Sequence, residues 1–193
     1  MRFLLFVILA VLIACVQPAK PPQEFFNQEF KWRITIPERF EAVGPEEWDK
    51  LQNRGAAAIE DTYGMAVDNQ TTTLFVFKSG NLNYFESNYQ YYDEQVDGDF
   101  AESVKAVNEV LYQTFIVQMP GVTIDTLNSM ASIDGLTFYS NEMKIYYPNK
   151  LTMYFAMYNR LFDDKELTVN IMYTDVQKGE KLKQAWLNSK FDL

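Results

Sequence analysis

The chain has 193 residues, 48% of them hydrophobic and 16% aromatic, which is enough apolar surface for one buried core and excludes disorder as the main state. Its formal net charge of −9 argues against nucleic acid as a partner, since that class binds by neutralising phosphates, and disfavours flat docking on anionic lipid. With no histidine and one cysteine, the sequence lacks the means for a His/Cys metal cluster or an imidazole-dependent triad.

Arg2 and the apolar run Phe3 to Ala14 predict a signal peptide over residues 1–14. As a helix that run would rise only about 18 Å, against a hydrocarbon core of ~30 Å. The next residue is the one thiol. Leu12-Ile13-Ala14-Cys15 resembles the bacterial lipobox, and the resemblance implies that the Cys15 sulfur receives a diacylglycerol, that the leader is cut before Cys15, and that the new amine is acylated. Cleavage there removes Arg2, the leader's one charge, and takes the net charge from −9 to −10. Each buried methylene contributes ~0.8 kcal/mol, so two or three chains anchor a protein durably where one does not. The alternative is a fortuitous cysteine in an uncleaved anchor. A catalytic thiol lacks a histidine base.

Residues 15–27 are expected to be the lipidated cysteine and a proline-rich linker, with Pro18, Pro21 and Pro22 and no glycine. In polyproline II, at ~3.1 Å per residue, the nine residues Val16 to Glu24 would hold a domain some 25 to 30 Å from the bilayer. A terminus with no spacing role is the other reading. Residues 28–193 then form one domain.

Phe30-Lys31-Trp32-Arg33-Ile34-Thr35-Ile36 alternates at period two and predicts a strand with Phe30, Trp32, Ile34 and Ile36 on one face. Gly44-Pro45-Glu46-Glu47 opens a helix that fades near Tyr63-Gly64, with Trp48, Leu51, Gly55 and Ile59 on its inner side. Thr71 to Lys78 predicts a central strand, and Asn81 to Tyr91 another after a Ser79-Gly80 turn. Phe100, Val104, Val107, Leu111 and Phe115 recur at helical spacing, closed by Pro120-Gly121. Further strands are expected at 122–126, 136–147, 151–161 and 167–174, with turns at 147–150 and 163–165. A last helix over 178–189 should bury Leu182, Ala185 and Trp186.

This order predicts an α+β fold: a single antiparallel β-sheet with helices packed on it. The segments FKWRITIPERF, TTTLFVFK, LTMYFAMYNRLF, ELTVNIMY and WLNSKF, in this order, resemble the PsbP-like fold family. That family is named from an extrinsic subunit of photosystem II and includes a nuclear-import factor that binds the GTPase Ran. The resemblance implies an α/β sandwich and an accessory or partner-binding role. The histidines and basic residues that photosynthetic members use are absent, so no metal or photosystem role carries over.

Asp93-Glu94-Gln95-Val96-Asp97-Gly98-Asp99 is the run closest to a calcium loop, but the twelfth position, where a bidentate glutamate belongs, is Val104. A helix cap by Asp99 with Glu102 completing a capping box is the simpler account. Glu46-Glu47, Glu60-Asp61 and Asp163-Asp164 are neighbouring carboxylates whose spacing in sequence sets no separation across a substrate. Tyr84, Tyr89, Tyr91, Tyr92, Tyr146, Tyr147, Tyr154 and Tyr158 could form a binding row or fill half-buried sheet positions. No catalytic residue, metal site or cofactor is assigned. The expectation is a lipoprotein of the bacterial cell envelope, periplasmic or outer-membrane, anchored through Cys15. Its domain would bind a protein or envelope component without enzymatic activity. A carboxylate-dependent envelope hydrolase is the alternative.

Overall fold

The computed structural model describes residues 21–193; the leader, Cys15 and the first linker residues lie outside the described residues. The described chain runs β1 (Gln23–Asn27), β2 (Trp32–Ile36), β3 (Glu41–Ala42), α1 (Pro45–Tyr63), β4 (Thr72–Lys78), β5 (Asn83–Tyr91) and α2 (Glu94–Asp97). It continues through α3 (Phe100–Gln118), β6 (Thr123–Ile133), β7 (Leu136–Tyr146), β8 (Thr152–Phe162), β9 (Lys165–Tyr173), α4 (Val176–Leu187) and β10 (Lys190–Phe191).

Local chemistry accounts for several boundaries. Pro45 occupies the first turn of α1, where its missing N–H costs nothing, and Gly64 ends the helix in the left-handed region at φ 66 while donating to Glu60 O at 2.7 Å. The β6–β7 hairpin turns on Asp134 (φ 51) and Gly135 (φ 80), the two positive φ values that a tight type I′ turn requires.

The α+β class holds, but the expectation of a single sheet does not. One sheet has the order β1-β2-β10; the other has seven antiparallel strands in the order β3-β4-β5-β9-β8-β7-β6. Three layers result, with the small sheet and α4 on one face of the large sheet and α1 with α3 on the other. The separate sheet exists because Phe30, Trp32, Ile34 and Ile36, all buried as the alternation predicts, pack against the large sheet's apolar face instead of extending its edge. The linker also ends earlier than residue 27. Gln23–Asn27 pairs with β2, and Phe25 inserts beside Phe77 and Phe75 at ring-centroid distances of 4.5 and 5.6 Å. Nor is β4 central: among the described residues only the two-residue β3 lies outside it.

On the α4 face, Phe77, Phe85, Phe138, Tyr158, Val169 and Ile171 meet Leu182 and Trp186 of the last helix. The approach is close enough to dictate a glycine. A Cβ at Gly179 would overlap the Tyr173 ring, which belongs to rigid β9. Gly179→Ala is therefore expected to destabilise by about 2 kcal/mol through forced repacking, although alanine is the better helix former. A thermal melt at or above the wild-type temperature would refute this close packing.

Candidate functional site

The sequence-level candidates separate once placed. Asp93 caps α2 by accepting from Gln95 N at 2.9 Å, and Asp99 caps α3 by accepting from Glu102 N at 3.0 Å. The reciprocal half of the expected capping box is made differently: Glu94 accepts from Phe100 N at 3.3 Å, and Glu102 pairs with Lys105. Among the described residues, no three acidic side chains gather as a metal site. Glu47 pairs with Lys78, Glu60 accepts from Val67 N, Asp61 accepts from Gln118, and Asp164 meets Lys165, so the neighbouring carboxylates hold local structure and do not converge.

The tyrosines form no continuous row. Tyr92 and Tyr158 are buried, Tyr89 packs edge-on against Phe30 at 5.6 Å, and Tyr91 stands exposed with Lys165 over its ring at 5.2 Å. Tyr154 and Tyr173 stack in parallel at 4.9 Å, with the Lys144 ammonium 5.6 Å from the Tyr154 ring and 5.1 Å from that of Tyr146.

Two open hollows flank β6. The one on the α4 side has a volume of about 330 Å³. Tyr154, Lys144, Glu180 and the Lys183–Glu142 ion pair, at 2.9 Å, line it, so it offers an aromatic wall among charges of both signs. The one between α3 and the sheet, about 320 Å³, is lined by Asn108, Asn128, Asn141, Tyr112, Lys105 and Glu109. Asn108 and Asn141 both donate to Asn128 Oδ1, at 3.1 and 2.7 Å, which leaves their own Oδ1 atoms buried without a partner among the described residues. Neutral hydrogen-bonding capacity, not fixed charge, therefore forms its floor.

The amides continue across the large sheet as a polar layer that strand alternation alone does not reveal. In one cross-strand row stand Glu86, Asn170, Met157, Asn141 and Asn128; in the next, Asn88, Thr168 and Asn159. Glu86 accepts from Asn170 and Asn88, both at 2.6 Å, and burial pushes its carboxyl up to about 7 against the pull of those amides. Glu166 accepts from Gln90 at 2.8 Å and Asn159 at 2.9 Å, and burial raises its carboxyl too. Neither carboxylate lines either hollow. Their strand positions lie four residues apart, about 14 Å along the strand, beyond the ~5 to 9.5 Å between the paired acids of glycoside hydrolysis. The alternation Glu86, Asn88, Gln90 was open to reading, but it has the same form as a strand face in water.

The fold matches the solution structure of cyanobacterial PsbP (CyanoP) from Synechocystis sp. PCC 6803 at a TM-score of 0.55 and 9% identity, over 93% of this chain and 98% of that one. The expected PsbP-like fold is therefore the fold of this domain. The crystal structure of the Saccharomyces cerevisiae Ran-binding protein Mog1p matches at a TM-score of 0.43 and 9% identity, over 88% and 95% of the two chains. No protein-family model and no curated protein matches the sequence.

Proposed function

We propose that the chain is a bacterial lipoprotein. Residues 1–14 direct export, Cys15 carries the lipid, and a short proline-containing tether reaches the domain at Gln23, where β1 begins. Among the described residues no helix is long and apolar enough to cross a membrane. The PsbP-like domain acts as a non-enzymatic binding or accessory module for a protein or other component of the cell envelope.

The observation that carries the reading is the placement of the buried acids. Glu86 and Glu166 are clamped by amide donors and line neither hollow, whereas the two hollows present aromatic, amide and paired-charge groups suited to holding a partner. A hydrolase would expose its raised-pKa carboxyl to substrate. Radioactive palmitate is expected to label the wild type and not Cys15→Ser, which should move to the aqueous fraction with its melting temperature unchanged. Labelling of the mutant overturns the attachment site, and an unlabelled, membrane-free wild type overturns the tether. Cross-linking and affinity capture from native envelopes then identify what occupies the hollows.

A further inference from the structure

The outer edge of β6 is a long backbone edge left without the usual protection. The two-residue turn closes on the pair Ile133↔Leu136, which exchanges its own N–H and C=O groups. Pairing with β7 then proceeds without a register shift from Ile133 back to Thr123, so the odd-numbered residues spend their backbone groups on β7. Ile124, Thr126, Asn128, Met130 and Ser132 point theirs outward, and among the described residues no strand meets them.

Sheets normally guard such an edge with shortness, lysine, proline or a bulge. The other outer strands are short: β3 and β10 have two residues each and β1 has five. β6 has eleven, with no lysine, arginine or proline, and its one charge, Asp125, accepts from Tyr146 Oη at 2.9 Å. Its tip is fixed, because Asp134 accepts from Lys190 Nζ and Phe191 N, both at 2.8 Å. Leu127 on the α4 face and Met130 on the α3 face remain 61% and 58% exposed. This is a rigid strand with a free apolar flank on both faces.

We propose that β6 pairs antiparallel with β6 of a second copy about a two-fold axis at Asn128, joining two large sheets into one. The strand is self-complementary in that register. Asp125 falls opposite Ala131, and the two Asp125 carboxylates lie about 20 Å apart, so the one charge never meets itself. Leu127 falls opposite Ser129, with the two Leu127 side chains as diagonal neighbours, and Met130 covers Thr126. Asn128 is an outward-facing residue, so the axial pair exchanges two hydrogen bonds. This association stands apart from the lipid anchor, which constrains only where the copies meet.

The test uses the full-length chain purified in detergent, with its mass measured by sedimentation equilibrium. A two-chain mass is expected for the wild type. Thr126→Pro removes an outward N–H and no internal hydrogen bond, and Leu127→Lys puts a charge on the seam; each should halve the mass while the chain still unfolds cooperatively, with a melting temperature that no longer depends on protein concentration. Asn128→Cys should cross-link to itself on mild oxidation, while Met65→Cys, exposed on the segment after α1, should not. A one-chain mass for the wild type overturns the proposal, also where a foreign extended segment is found on β6. So does a two-chain mass that survives both edge substitutions. Palmitate labelling is read separately, so loss of the anchor reading and loss of the dimer are distinguishable.

Discussion

Trp32→Ala is expected to destabilise the domain by about 3 to 5 kcal/mol, the range for deleting a fully buried large aromatic side chain. At this chain length that lowers the melting temperature by roughly 6 to 20 °C. Trp32 is 0% exposed, and its ring lies 5.5 Å from both Phe75 and Trp186, 6.1 Å from Phe191 and 6.3 Å from Phe85. Those rings come from β4, α4, β10 and β5, so one side chain joins the small sheet, the large sheet and the last helix. Alanine would leave a cavity between layers whose backbones are fixed by their own ladders, and such a space collapses poorly. Among the described residues the indole N–H of Trp32 has no acceptor, so the loss is one of packing and not of a hydrogen bond. Trp32→Phe, which keeps ring contacts and removes the orphaned donor, should therefore cost markedly less. Denaturant midpoints with an unchanged slope would measure both. An alanine variant within about 1 kcal/mol of wild type would mean that the layers close over the gap, against this account.

The elements most legible in the sequence were those whose pattern depends on one neighbour. Phe30 to Ile36 announces a strand buried on one face, Pro45-Glu46-Glu47 and Gly64 bracket α1, and Leu182 with Trp186 mark the inner side of α4; all are found so except that the strand begins at Trp32, Phe30 being buried from the turn before it. The expected strand at 122–126 covers less than half of β6, since Thr123–Ile133 carries polar residues on both faces and gives no clean alternation. Asp134-Gly135 was the local signal that could have extended it. In α3 the stripe is displaced: Val107 is exposed while Asn108 turns inward to Asn128, because the amide row of the sheet continues into the helix.

What could not be read locally is which faces are covered twice. TTTLFVFK looks central by composition, yet lies one strand from the edge; its apolar content reflects layers above and below, not its rank in the sheet. Glu86, Asn88 and Gln90 look like a face in water, and only the arrival of α1 and α3 from elsewhere in the chain makes it an interior. The same long-range information sends β2 to a second sheet. The PsbP-like order of elements is recognisable although the chain as a whole shares 9% identity with the matched structure, so element order carries the resemblance. The sequence signal for the proposed anchor, the apolar leader and Leu12 to Cys15, lies outside the described residues.

The covered carboxylate gives the second large expectation: the domain should lose stability as the pH rises from about 4.5 to above 7. Burial raises the Glu86 carboxyl from its ordinary 4.5 to about 7. Between those values the folded chain keeps a proton that the unfolded chain has released, so unfolding sheds a proton and is favoured by higher pH. At ~1.4 kcal/mol per pH unit the loss is on the order of 3 kcal/mol, complete above the folded value and absent below the unfolded one. Glu166, raised by burial in the same direction, adds to the slope. Asp134, held below its usual range by Lys190 and the Phe191 amide, acts oppositely but only in more acid solution, so the windows are separable. Glu86→Gln should flatten the curve and exceed the wild type in stability near pH 8. The amide at position 86 needs an acceptor, and rotation of Asn170 brings round its Oδ1, which is buried and otherwise without a partner. Denaturation midpoints across the pH range decide the matter. A wild type that gains stability from pH 5 to 8, or a Gln variant with the same curve, would show that the amides hold Glu86 ionised in spite of its burial.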